Sequence, residues 1–217
     1  GFTPNTGGLL REAKLERRQK AFDRTVWRQQ NAPKLASDSL LISLFCYEPA
    51  ALPQLLTQLG ATTHHLLVTP GRPLAAVQQA LTGMTTAQAR WSALPYTDQD
   101  GFDEMLWACD LNFVRGEDSL VRALWAGRPF VWHIYPQDDH AHHAKLEAFL
   151  DWLQAPESLR RFHRVWNGID SGALPVLDSD AMTEWQLCVQ AARQGLLAQK
   201  DLTLQLSAFV QNHLQLA

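Results

Sequence analysis

The run "DLNFVRGEDSLVRALWAGRPFVWHIYPQ", residues 110–137, gathers chemistry-bearing side chains where an apolar segment breaks into a helical one. Arg115, Glu117, Asp118 and Ser119 surround Gly116, between "LNFV" and the apolar-periodic "SLVRALWAG". An acid or a serine here can cap a helix, because the first helical N–H groups lack intrahelical partners and the dipole is positive at that end. Capping alone would give the cluster no function. Three features point past it. The turn follows the carboxyl end of a strand-like run, the edge where open parallel sheets bind ligands. Arg115 sets a fixed cation just before the turn, and Gly116 permits close backbone approach. A diphosphate could accept hydrogen bonds from the helix N–H groups and the Ser119 hydroxyl, with charge from Arg115. Carboxylates repel phosphates, so Glu117 suits ribose hydroxyls and Asp118 a cap or sugar contact.

The surrounding pattern must position that turn. Strand-like runs at 39–47, 64–71, 89–96, 111–115 and 128–135 alternate with helical ones at 49–60, 73–82, 99–110 and 119–127. That alternation predicts an α/β fold, a doubly wound Rossmann-like parallel sheet. The first run, "SLLISLFCY", is continuously apolar, as a strand buried on both faces should be. Further helices are expected at 140–154, 156–167, 179–195 and 200–215. Before the sheet, residues 1–12 are turn-prone, and 14–30 are charged with helical spacing up to Ala32-Pro33. No G-x-G-x-x-G follows the first strand and no Walker loop is present, so neither a dinucleotide nor a P-loop site has support.

Composition bounds the function. With 217 residues, 46% hydrophobic, 19% charged and net charge −3, the chain reads as a soluble core-forming protein and not a nucleic-acid or membrane-surface binder. No apolar run approaches the ~18–20 residues that span a bilayer. There is no signal peptide, although a start at Gly1 leaves room for an upstream segment. Cys46, Cys109 and Cys188 lie scattered in apolar stretches, as reduced core thiols of a cytoplasmic protein do. The eight tryptophans suit core and domain contacts. "DDHAHHAKLEAF" (138–149) offers metal-ligand types, but His140, His142 and His143 do not form a helical i, i+4 pair, so a solvated helix start is the better reading. His64, His65, His163 and His213 are read the same way, His133 as a core or pocket residue, and "LERRQK" as a solvated face.

The wider pattern, strand–turn–S-L-x-x-A-x-x-A-G-x-P–strand–P-Q, resembles the donor-binding half of GT-B glycosyltransferases. With "SLFCYE" (43–48), "LPYTDQDGFDEMLWACD" (94–110) and "GFTPNTGGLLRE" (1–12), the chain resembles the family of protein-arginine rhamnosyltransferases that modify elongation factor P. That resemblance implies the C-terminal domain of a GT-B fold with additional C-terminal helices. It implies inverting transfer of rhamnose from dTDP-β-L-rhamnose to an arginine of elongation factor P, with no cofactor and no metal. The family holds thymine in an aromatic–x–x–Gln–x–x–aromatic segment, here Tyr96, Gln99 and Phe102, with tyrosine where the family usually has phenylalanine. By the same resemblance Arg115, Glu117, Asp118 and Ser119 hold ribose and diphosphate, Phe45 and Tyr47 line the pocket, and Tyr135 reaches the phosphates. Without it, Phe45 and Phe102 would be read as core.

The family's catalytic aspartate, its proposed general base, lies in an N-terminal domain with no counterpart in these residues; Glu117 and Asp118 only support. The expected organisation is an interdomain segment and helix over 1–35, a nucleotide-sugar-binding domain over 36–177, and over 178–217 helices packing back on the sheet or on the N-terminal domain. Such a chain alone should bind a dTDP-sugar without turnover. A nucleotide-sugar epimerase of the same architecture and a non-catalytic nucleotide-binding module stand as rivals.

Overall fold

Leu41–Leu44 (β1), His65–Val68 (β2), Arg90–Ala93 (β3), Leu111–Arg115 (β4) and Phe130–His133 (β5) pair in parallel in the order β3-β2-β1-β4-β5. This is the computed structural model of the chain, describing residues 1–214 apart from 4, 5, 7, 34, 37, 38 and 85–88. Parts of the turn-prone 1–12 stretch, residue 215 of the last expected helix and the His213 side chain lie outside the described residues. The five expected strands and the α/β class are present. β1 and β4 are buried through their length except for Arg115, whereas β3 forms one edge and is only half-covered.

The connections are Leu52–Gly60 (α3), Arg72–Thr82 (α4), Gln99–Ala108 (α5) and Gly116–Ala126 (α6). Local signals end them. Asp98 caps α5 by accepting from Gly101 N at 2.9 Å. Gly127 closes α6 in the left-handed conformation, φ 68° and ψ 26°, with its N–H bonded to Ala123 O. A Cβ at Gly127 would also stand 2.6 Å from Arg193 Cδ, so a side chain there would be strained at the backbone and would have to displace that arginine.

The charged stretch before the sheet forms two helices, Leu15–Ala21 (α1) and Arg24–Asn31 (α2). Asp23 divides them: its Oδ1 accepts from Thr25 N and Val26 N, a local bond that outcompetes continuation of the helix. In the "LERRQK" run expected to be a solvated face, Glu16, Arg17 and Lys20 are exposed, while Arg18 is docked, as are the arginines of α2. Arg18 donates to Asp100 at 2.5 Å, while Arg24 and Arg28 both donate to Asp110 and to Ala108 O. Asp110 also accepts from Leu41 N at 2.8 Å. Burial raises the Asp110 pKa, but that N–H and the two arginines outweigh it and hold the carboxyl below its ordinary value.

β5 is the other edge, and side chains complete it. From Glu157–Trp166 (α8), His163 Nε2 accepts from Trp132 N at 2.9 Å. Asn167, just after α8, accepts from Ile134 N at 3.0 Å and donates to Trp132 O at 2.9 Å. The two residues do for β5 part of what a sixth strand would do, pairing backbone groups on that edge that could otherwise template another chain. His163 is therefore a structural acceptor and not part of a solvated face. Phe113, Phe162, Trp166 and Trp185 form the aromatic core there, with Phe113 and Trp166 centroids 4.5 Å apart.

Ala141–Trp152 (α7) precedes α8; Ser179–Leu197 (α9) and Leu202–Leu214 (α10) end the chain. α9 packs on α6 and α8, where Arg193 Nε donates to Trp125 O at 2.8 Å and Gln186 to Gly127 O at 2.7 Å. α10 leaves Leu204, Leu206, Phe209 and Val210 exposed. No described helix is long and apolar enough to cross a membrane. All three cysteines are free thiols, and burial pushes Cys46 and Cys109 up to about 12.

Candidate functional site

The strand order reverses between β1 and β4. The chain steps outward from β1 to β2 and β3, then returns through α5 to β4 on the other side of β1. Segments leaving the carboxyl ends of β1 and β4 diverge and open a crevice, the place where such sheets take ligands. Here the crevice is a cavity of about 960 Å³, within the size of small-molecule sites.

From β1, Phe45 and Tyr47 enter the cavity wall. Tyr47 is fixed through its backbone: its N–H donates to His133 Nδ1 at 3.2 Å. Burial, with Arg115 and Arg72 adding to it against Glu48, lowers the His133 pKa to about 4, so the imidazole is neutral and can accept that bond. From β4, the Arg115 guanidinium lies over the Phe45 ring at 4.4 Å and the Tyr47 ring at 4.9 Å, and donates to Cys46 O at 3.1 Å.

Gly116 then turns the chain into α6 with φ 69°. Its carbonyl accepts from Trp132 Nε1 at 2.7 Å, and a Cβ there would meet the Tyr47 hydroxyl at 3.4 Å. Glycine is needed for the positive φ, which costs other residues about 1–2 kcal/mol. The helix opens on the cavity with no side-chain cap. Glu117 and Asp118 are exposed on its rim and cap nothing, which removes capping as the reason for the acids. Ser119 differs from the expectation of a hydroxyl facing a ligand. It is buried, donates to Arg115 O and accepts from Arg115 N at 3.1 Å. The serine braces the turn; the first backbone N–H groups of α6, which lack intrahelical partners, belong to Gly116, Glu117 and Asp118, which line the cavity.

The opposite wall is α5 and the loop before it. Tyr96 is 84% exposed at the mouth, Gln99 begins α5, and Phe102 packs edge-on against Phe45 with centroids 5.3 Å apart. The cavity thus brings together Phe45, Tyr47, Tyr96, Gln99, Phe102, Arg115, Glu117, Asp118 and Ser119. Tyr135 is outside its lining; it stands beyond Tyr47, ring to ring at 5.6 Å, and is largely exposed.

Several lining residues escaped the sequence reading. Arg72, past β2, also lies over the Tyr47 ring at 5.1 Å and is held by Glu48, with 2.7 Å between Nε and Oε1. Its signal was available: like Arg115, it is a cation next to a glycine just past a strand. Arg122 had no such signal. Well over one turn into α6, it bonds Asp103 at 2.8 Å, Glu12 at 3.0 Å and Asp118 at 3.3 Å, tying the first segment of the chain to the rim of the cavity. Burial raises the Asp103 pKa despite the opposing Arg122 bond, and its Oδ2 has no hydrogen-bond partner among the described residues. Trp27 from α2 also reaches the cavity.

His140, His142 and His143 cluster with nitrogens within 4.8 Å of one another, because His140 adopts a left-handed conformation before α7. Helical spacing therefore does not decide the matter. The hydrogen bond does: His142 Nδ1 accepts from Gln137 N at 3.0 Å, which leaves the proton of the neutral ring on Nε2 and no lone pair for an ion.

The family model described as elongation factor P (EF-P) rhamnosyltransferase EarP matches residues 1–211. A protein-arginine rhamnosyltransferase of Pseudomonas aeruginosa is 43% identical over 96% of this chain and 61% of its own length. One from Pseudomonas putida is 39% identical over 99% and 63%, and one from Neisseria meningitidis 34% over 98% and 62%. The chain thus spans about three fifths of the length of these curated relatives. A structure described as the basis of EarP-mediated arginine glycosylation of translation elongation factor EF-P superposes with TM-score 0.76 and 34% identity, over 98% of this chain and 74% of that one. The chain belongs to the EarP family of elongation factor P rhamnosyltransferases.

Proposed function

We propose that this chain is the donor-binding part of an inverting protein-arginine rhamnosyltransferase, taking dTDP-β-L-rhamnose for transfer to an arginine of elongation factor P. One observation carries the reading: the uncapped N-terminus of α6 and the ring-held Arg115 open together on the cavity at the switch point. Tyr96, Gln99 and Phe102 supply flat surface and an amide for a pyrimidine. Glu117 accepts from ribose hydroxyls. Arg115, Arg72 and the α6 N–H groups take up the negative charge of the diphosphate as the C–O bond to the sugar breaks, the kind of preorganised stabilisation that lowers a barrier most.

The acceptor guanidinium has a pKa above ~12 and must lose a proton as its nitrogen bonds the anomeric carbon. The relatives are longer than this chain, and in this reading the carboxylate that takes the proton belongs to their additional length. Calorimetric titration of the chain with dTDP-rhamnose, dTDP and UDP-sugars tests the donor assignment. Heat and a thermal shift with the dTDP ligands, weaker with UDP-sugars, are expected; no response to dTDP ligands overturns it.

A further inference from the structure

The amino-terminal end of the sheet carries a second concavity, which donor binding does not use. Between α1, α2, the turn after α6 and α9, about 660 Å³ is lined by four cations, Lys20, Arg24, Arg128 and Arg193, and by no carboxylate. In a chain of net charge −3 this is a local inversion of sign. The carbonyls around it are already taken. Ala126 O accepts from Gln19, Gly127 O from Gln186, Trp125 O from Arg193, and Ala108 O from Arg24 and Arg28.

Two of the cations are likewise committed, Arg24 to Asp110 and Arg193 to Gln19 Oε1 at 2.7 Å. Arg128 differs. It is half-buried, yet makes no hydrogen bond or ion pair among the described residues. Burial, and then Arg24, lower its pKa against the pull of Asp110. A partly desolvated guanidinium without a partner is costly unless an anion completes it.

We propose that this cavity is an oxyanion site for the phosphate of a small phosphorylated ligand, with the Arg128 fork as anchor and Lys20 and Arg24 as flanking charges. A fork of parallel N–H donors matches two oxygens of one phosphate, and four lining cations, of which only Arg24 is paired with an acid, favour a polyanion over a single carboxylate. Phosphate is what the walls can read. The two aromatic residues of the lining, Phe22 and Trp107, are turned edge to face on each other at 5.4 Å, with Arg18 over Trp107, so they are engaged with protein groups and not set out as a stacking platform. The site is separate from the donor cavity, which opens past the carboxyl ends of β1 and β4.

The test is titration of the full chain with inorganic pyrophosphate, followed by backbone amide NMR. Saturable shifts are expected at Gly127, Arg128 and Gln190, retained in Arg115→Ala, which disables the donor cavity alone. Arg128→Gln should weaken binding here on the order of tenfold or more, as loss of a charge-assisted pair does. Arg128→Lys should fall between, since it keeps charge without the fork, and with Lys20→Gln it carries the test if Arg128→Gln does not fold. Arg90→Gln, on the far edge of the sheet, should change nothing. Absent shifts, or an Arg128→Gln effect equalled by Arg90→Gln, overturn the proposal. Equal affinity for pyrophosphate and a nucleoside diphosphate assigns free phosphate; tighter nucleotide binding assigns a phosphate carried on one. Tighter binding of an oligoglutamate peptide than of pyrophosphate overturns the phosphate assignment.

Discussion

The Arg115 guanidinium, from the end of β4, lies 4.4 Å over the ring of Phe45, from the end of β1. The contact spans the two strands between which the sheet order reverses, and the bond from Arg115 Nη1 to Cys46 O holds it in place. A cation stacked on a ring and bonded to backbone has lost much of its rotamer freedom, so a ligand meets it already positioned.

Arg115→Ala is expected to weaken dTDP-ligand binding about tenfold to a hundredfold, the scale of a hydrogen bond to a charged group. Arg115→Lys should recover part of this, because charge remains while stacking and planar donation are lost. Calorimetry on both variants checks it; equal affinity in all three proteins would remove Arg115 from the site.

Glu117→Ala and Glu117→Gln should weaken ligand binding while leaving stability within about 0.5 kcal/mol, as for exposed positions without a structural bond. The expectation rests on Glu117 capping nothing at the start of α6. Urea denaturation beside the binding titration separates the two effects, and a stability loss with unchanged affinity would restore the capping role.

Gly127→Ala should destabilise the fold by at least about 1–2 kcal/mol from the left-handed backbone alone. The 2.6 Å approach of its Cβ to Arg193 Cδ should add to that by displacing the arginine from Trp125 O. Denaturant midpoints for Gly127→Ala and Arg193→Ala, alone and combined, measure the coupling. Strict additivity would show that the close approach carries no energy.

Burial lowers the pKa of His163 to about 4 from an ordinary value of 6.5. The unfolded chain therefore takes up this proton before the folded one does. The stability held by the neutral ring is whole above about pH 6.5 and is lost towards pH 4 at roughly 1.4 kcal/mol per pH unit. His163→Gln, followed by urea denaturation across that range, should flatten the pH dependence by that amount. It should also cost about 1–3 kcal/mol at neutral pH if Trp132 N is left unpaired. An unchanged slope would mean that the ring is protonated in the fold.

The sequence by itself determined the alternation of five strand-like runs with helices, the glycine that ends α6, and the charged turn at Arg115–Ser119 as the candidate site. These are local matters: hydrophobic period, a fixed cation at a strand end, and a residue able to adopt positive φ are written within a few positions. Only the tertiary structure decided that β1 lies beside β4, which sets Phe45 under Arg115. Only it turned the Ser119 hydroxyl onto the backbone, joined Arg122 to Glu12 and Asp103, and gave His163 and Asn167 the place of an absent strand. Those pairings join residues distant in the chain, and burial selects them: each buried polar group takes whichever partner the packed elements bring within reach, which no local spacing encodes.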